Sequence, residues 1–175
     1  IFWDFYGKGM NDLFVSSSLA FQFWCEKNGY EYKIWSENQC NRLMKKYPQY
    51  EKMYKEARYK IMQIDIVRLC ILHHEGGLYS DLDVFPKRAD IKFGDLIFAI
   101  DKTSKGQGKK AVITNEIMQC AKGNPFILGF LDYIKTQIKE KSKIEAYATR
   151  KARFVLHTTG PYALQRYLKA QGIVC

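Results

Sequence analysis

Apolar and polar positions change period several times along this chain. Residues 1–9 (IFWDFYGKG) form an aromatic, strand-like run that stops at Gly7 and Gly9. Residues 10–29 then bring Leu13, Ala20, Phe21 and Trp24 near one face of a helix, which Asn28-Gly29 terminates. Residues 30–35 (YEYKIW) alternate and are rich in aromatics, as a strand is. This β-α-β opening predicts an α/β layered sheet. Residues 38–60 are polar and broken at Tyr47-Pro48, which predicts one or two short surface helices. Residues 58–75 predict a strong helix, apolar at almost every position from Ile61 to Leu72 and closed by Gly76-Gly77. Further on, residues 78–84 (LYSDLDV) read as a strand and its exit, and residues 93–101 as another strand. Residues 102–110 (KTSKGQGKK) have the composition of a basic loop. Residues 111–121 read as a strand followed by a turn or short helix, and Pro125 starts a helix to about Lys139. Residues 141–154 show no clear period. Residues 155–161 (VLHTTGP) read as a strand into a turn, and a last helix follows with Pro161 in its first turn.

A length of 175 residues suits one domain, expected over 1–175, and the 47% hydrophobic content excludes intrinsic disorder. The chain opens on Ile rather than Met, so a piece of a longer protein is one expectation. No apolar run is long enough to span a bilayer and no signal-peptide pattern opens the chain. The five cysteines are scattered without metal-type spacing, which points to reduced thiols in a soluble, cytoplasmic chain. A membrane anchor outside these residues, or peripheral membrane contact, is compatible with that reading. The formal charge of +10 attracts polyanions: a nucleic acid, an anionic membrane or a nucleotide diphosphate. Most of these cations are expected on a solvated surface.

Candidate chemistry concentrates between residues 65 and 83. Asp65 and Arg68 interrupt the apolar helix and share a face at i and i+3. They form either an internal ion pair or the polar wall of a cleft. Asp81 and Asp83 sit at i and i+2, on one side of a strand if the strand continues through them. Two carboxylates that close repel unless a cation lies between them, and a hard divalent metal with oxygen ligands fits. The bland alternative is a pair of turn-forming acids at a strand end. Gly76 and Gly77 allow the sharp reversal that returns these acids to the neighbourhood of Asp65 and Arg68.

The order Asp65, Arg68, an apolar stretch, Gly76-Gly77, Tyr79 and Asp81-Leu82-Asp83 resembles the signature of the DXD-motif nucleotide-sugar glycosyltransferases of GT-A fold. Weaker resemblance extends to the opening IFWDFYGKG, to TNEIMQCAKGNPF and to the Thr-Gly-Pro turn in HTTGP. The resemblance implies a Rossmann-like α/β domain whose mainly parallel central sheet is flanked by helices. It implies a retaining transfer of a hexose from a nucleotide-diphosphate sugar to a glycan or other hydroxyl acceptor. UDP-glucose or UDP-galactose comes first and GDP-mannose second, with Mn2+ (or Mg2+) as cofactor. Carried over position by position, Asp83 would ligate the metal, and Asp81 would meet the metal, the donor ribose, or both. Asp65 and Arg68 would bond donor-sugar hydroxyls, and Asn115 would approach the donor sugar or acceptor. Phe5 and Tyr6 of the first strand would hold the base, Phe5 standing where relatives often carry Trp, with Gly76 and Gly77 beside the donor. His157 is either a third metal ligand or a plain strand histidine. His73 and His74 suit the end of a helix dipole. Two other classes compete. A nucleotidyltransferase also pairs acids around a metal, but its Gly-Ser pair lies farther upstream. A basic nucleic-acid-binding module would explain the charge, yet the chain lacks an aromatic-rich RNA-binding signature, zinc-finger spacing and heptads; no nucleic-acid partner is expected.

Overall fold

The computed structural model describes residues 1, 9–87, 94–101 and 112–173. Helix α1 (Asp12–Asn28) starts where the Asn11 side chain accepts from the Phe14 amide, and ends on Gly29 with φ 74°. Its buried face carries Ser17, Phe21, Trp24 and Cys25. Leu13, expected on that face, is 49% exposed, because the buried stripe begins one turn later at Ser17. Residues 30–35 link α1 to α2 (Glu37–Met44) without strand pairing among the described residues. A capping box between Ser36 and Gln39 opens α2, and Pro48 opens α3 (Pro48–Lys55).

Helix α4 (Lys60–Glu75) is the centre of the core. Met62, Ile66, Val67, Leu69, Cys70 and Leu72 are all buried along it, and it packs on α2, α3, α5 and two strands. A helix apolar on nearly every side has to be enclosed, and here it is. Gly76 then turns the chain at φ 72°, ψ −165°, a region open essentially to glycine. Strand β1 (Gly77–Ser80) leaves directly from that turn.

Strands β1, β2 (Leu96–Asp101) and β3 (Val112–Cys120) form a sheet of order β1-β3-β2. Tyr79 faces Met118 across β1 and β3, and Leu96 faces Cys120 across β2 and β3, with a register shift at Phe98/Ala99. Both pairings are antiparallel. The mainly parallel sheet expected from the sequence is therefore not what these three strands form. Parallel neighbours need a crossover of a dozen or more residues, whereas β2 and β3 are separated by residues 102–111 alone. The expected first strand lies on residues 2–8, outside the described ones.

Four helices complete the chain: α5 (Pro125–Lys141), α6 (Glu145–Ala148), α7 (Lys151–Thr158) and α8 (Pro161–Ala170). Residues 155–158, read as a strand from sequence, are the last turn of α7. Phe154 and Thr158 lie at i and i+4 and are both buried, and the Thr158 hydroxyl donates to the Phe154 carbonyl at 2.7 Å. That helical spacing outweighs the strand preference of Val155. Helix α7 packs against α5 and α8.

The turn after α4 is sensitive to side-chain volume. A Cβ on Gly76 would stand 2.7 Å from the Lys122 amide nitrogen, whereas one on Gly77 meets nothing within 4 Å. Gly77→Ala is expected to lose only the positive-φ penalty, about 1–2 kcal/mol. Gly76→Ala is expected to lose that and more, through displacement of the 121–124 turn, as read by urea unfolding of both variants.

Candidate active site

The end of β1 delivers Asp81 beside the buried face of α4. Asp65 and Arg68 are 4% and 3% exposed. Arg68 Nη2 lies 3.1 Å from Asp65 Oδ1, and Nη1 lies 3.3 Å from Asp81 Oδ1. Nη1 also donates to the Asn115 carbonyl of β3 at 2.8 Å. The Tyr79 hydroxyl donates to Asp81 Oδ1 at 2.6 Å, and its ring lies 4.9 Å from the guanidinium carbon. Asp65 is held on both oxygens. Asn115 Nδ2 donates to Oδ1 at 3.2 Å, and the Thr159 hydroxyl donates to Oδ2 at 2.6 Å. One network thus joins α4, β1, β3 and the turn between α7 and α8.

The two alternatives left open for Asp65 and Arg68 are combined here: an internal ion pair one of whose members reaches the acid of a cleft. Burial, with a smaller push from the charge of Asp81, raises the Asp65 carboxyl to about 6 against the opposing pull of Arg68, Thr159 and Asn115. For Arg68, burial works against the charge, but Tyr79, Asp65 and Asp81 outweigh it and its pKa is raised. Burial, then Asp81, push the Tyr79 hydroxyl well above the usual phenol range despite Arg68. Among the described residues, Arg68 Nε is buried without a hydrogen-bond partner.

Pairing of β1 with β3 stops at Ser80 opposite Ile117, and a turn begins at Leu82. Asp81 and Asp83 therefore do not share one face of a continuing strand. The Asp81 side chain is 31% exposed and leans on Arg68, while Asp83 is exposed. The segment after them is fastened by the Ser17 hydroxyl of α1, which donates to the Val84 carbonyl.

A cleft of about 460 Å3 opens in front of Asp81. Gly76, Gly77, Ser80, Trp24, Tyr30 and Trp35 are among the residues that line it. Trp24 stacks on Tyr30 at 5.3 Å between centroids, and Lys33 Nζ sits 4.1 Å over the Trp35 ring. Sequence reasoning missed this wall, although the aromatic alternation of residues 30–35 is its signal. It also gave no role to Thr159, quoted only as part of the Thr-Gly-Pro turn, or to the Tyr79 hydroxyl. Phe5 and Tyr6, expected beside the base, lie outside the described residues.

His157 stands elsewhere. Arg166 holds its Nδ1 at 2.9 Å and its carbonyl at 2.6 Å, and the rings of Tyr147 and Tyr162 flank it. Burial, Arg166, Lys141 and Arg153 lower its pKa. Among the described residues no three His, Cys, Asp or Glu side chains form a group suited to a metal, so His157 does not join Asp81 and Asp83. A divalent cation still fits the donor set. Hard oxygen ligands are present, and Mg2+-type sites commonly use one or two carboxylates together with substrate phosphates.

Residues 15–96 match the family model described as the glycosyltransferase sugar-binding region containing DXD motif. Inositol phosphoceramide mannosyltransferase 3 of Schizosaccharomyces pombe is 33% identical over 100 residues, covering 57% of this chain and 27% of that protein. Subversion of eukaryotic traffic protein A of Legionella pneumophila is 32% identical over 127 residues, covering 65% of this chain and 19% of that protein. The matched stretch thus spans about a fifth to just over a quarter of the length of these relatives. The solved structure of the PaToxG glycosyltransferase superposes with a TM-score of 0.60 at 18% identity, over 94% of this chain and 65% of that one, which is a likeness of fold. Asp65, Arg68, Asp81 and Asp83 all fall within the matched stretch, which is similar to the DXD-containing sugar-binding region of glycosyltransferases.

Proposed function

We propose that this chain transfers a hexose from a nucleotide-diphosphate sugar to a hydroxyl of a glycan or similar acceptor, with retention of configuration. One observation carries the reading. A buried arginine, itself held by a buried aspartate, fixes Asp81 at the mouth of an aromatic-walled cleft, with exposed Asp83 two residues on. In the donor-bound state the nucleotide lies at the carboxyl end of β1. UDP-glucose or UDP-galactose is the first donor to test. GDP-mannose is the second, supported by the mannosyl transfer in the name of the fission-yeast relative. A reducing compartment suits the buried free cysteines Cys25, Cys40, Cys70 and Cys120.

Asp83 and Asp81 are the residues to hold a divalent cation, Mn2+ or Mg2+, and when bound it neutralises charge on the departing diphosphate. The other parts belong to the chain itself. Arg68 holds Asp81 against the cleft, and Tyr79 fixes its rotamer through Oδ1. The side chains of Trp24, Tyr30 and Trp35 supply a face for the base or sugar and exclude water. Gly77, whose missing Cβ would stand in open space, lets the backbone line the donor without side-chain volume, while Gly76, packed against Lys122, makes the turn that brings it there. Asn115 reaches the site through its carbonyl on Arg68 and its amide on Asp65. Because both oxygens of Asp65 are occupied, its burial favours a holding role over direct contact with a sugar hydroxyl.

Turnover of nucleotide sugars with manganese present tests the reading. Chelation is expected to abolish transfer, and Asp83→Ala to lower it by about 100-fold or more, since leaving-group stabilisation by a metal contributes several kcal/mol. Full activity of Asp83→Ala, or incorporation of nucleotide instead of sugar, counts against it. Stability separates the two kinds of site residue. Arg68→Ala strands two carboxylates and is expected to cost about 3–5 kcal/mol in urea unfolding. Exposed Asp83→Ala is expected to stay within about 0.5 kcal/mol.

A further inference from the structure

We infer that Thr159 is a positioning residue for the donor site: its hydroxyl clamps Asp65, and through Asp65 it sets Arg68 and Asp81. The inference rests on the transferase reading of that site. Thr159 is 1% exposed and follows α7, and its side chain reaches a residue far from it in sequence. Its Oγ1 donates to Asp65 Oδ2 at 2.6 Å, a charge-assisted bond across 94 positions of sequence. It is the outer of two clamps. Asn115 holds Oδ1, the same oxygen that faces Arg68 Nη2, so Thr159 is the partner that fixes the far oxygen and the carboxylate plane. A carboxylate held on both oxygens cannot rotate away from the guanidinium. Arg68 in turn spans Asp65 and Asp81 with Nη2 and Nη1. The geometry of the acid at the cleft is therefore set partly by the turn between α7 and α8.

That turn is fitted for the task. Gly160 follows Thr159, and a Cβ there would stand 3.0 Å from the Leu156 Cα, so glycine lets the chain leave α7 closely. The Thr159 and Gly160 amides both donate to the Val155 carbonyl at 3.0 Å, and Pro161 opens α8. The neighbouring Thr158 is an internal comparison. It is equally buried, but among the described residues its hydroxyl bonds only the Phe154 carbonyl of its own helix.

The charged and titratable groups facing Asp65 are Arg68 from α4, Tyr79 from β1 and Asp81 just beyond it. Its pKa stands at about 6, above the ordinary 3.8, because burial outweighs Arg68 and the Thr159 bond. A raised carboxyl pKa gives stability that is fully present below the unfolded value and lost as pH rises through the folded one. For Asp65 that window runs from 3.8 to about 6. Removing the Thr159 hydroxyl raises the folded pKa further and extends the loss above pH 6.

The experiment compares thermal unfolding of wild type, Thr159→Val, Thr159→Ser and Thr158→Val between pH 5 and 8. For Thr159→Val the deficit in melting temperature is expected to grow above pH 6, to about 4–8 °C at pH 8. Thr159→Ser is expected to restore the wild-type profile. Thr158→Val is expected to show a deficit that does not change with pH. A Thr159→Val protein that will not fold at pH 7 is expected to fold at pH 5, and failure at both overturns the clamp. A pH-independent deficit for Thr159→Val, or no rescue by serine, also overturns it. In sugar transfer, Thr159→Val is expected to lower kcat about 10- to 100-fold with the donor KM within about three-fold, and serine to recover it. If wild type transfers no sugar while the stability profiles behave as stated, the clamp stands and the transferase reading fails.

Discussion

A charge buried in the middle of a hydrophobic helix has to be answered, and Asp65 answers Arg68. The desolvation cost of two such ions offsets much of their attraction, so the pair is not justified by stability alone. Its value lies in what the arginine does with its remaining donors. One reaches the Asn115 carbonyl of β3 and one faces Asp81 beyond β1. The same cation therefore fixes the distance between a helix, a central strand and the acid at a strand end. The rest of the site takes its position from that cation: the cleft mouth, the Tyr79 hydroxyl and the glycine turn between α4 and β1.

The sequence made the centre of this arrangement legible because its chemistry is local and contrary to burial. Two charges in the apolar run from Ile61 to Leu72, a glycine pair and two spaced acids can be read without knowing the fold. Helices α1, α4, α5 and α8 were legible for the same reason: each has an apolar stripe, a cap or an opening proline. Strands β1, β2 and β3 were legible too, and strand reading failed at two other segments. Residues 30–35 have strand composition but line a cleft with their aromatics instead of pairing, among the described residues, with a neighbour. Residues 155–158 have strand-forming side chains, but Phe154 and Thr158 bury at helical spacing. Sheet direction was illegible because it depends on which strands meet, and that is set by connections and not by side-chain period.

Long-range partners were the other gap. No spacing rule links residue 65 to residue 159, and a threonine before glycine and proline reads as turn chemistry. His157 shows the converse. Next to that turn it looks like a metal ligand in sequence, yet the structure gives its ring nitrogen to Arg166 and surrounds it with cations. A site already rich in positive charge repels a divalent ion, whereas two carboxylates beside a cleft attract one.

The hydroxyl of Ser17 has a mechanical consequence. It ties the backbone just past the acids to the helix that carries Trp24, so the pocket's acidic lip and its aromatic flank are sutured at one seam. Any breathing that widens one must drag the other along.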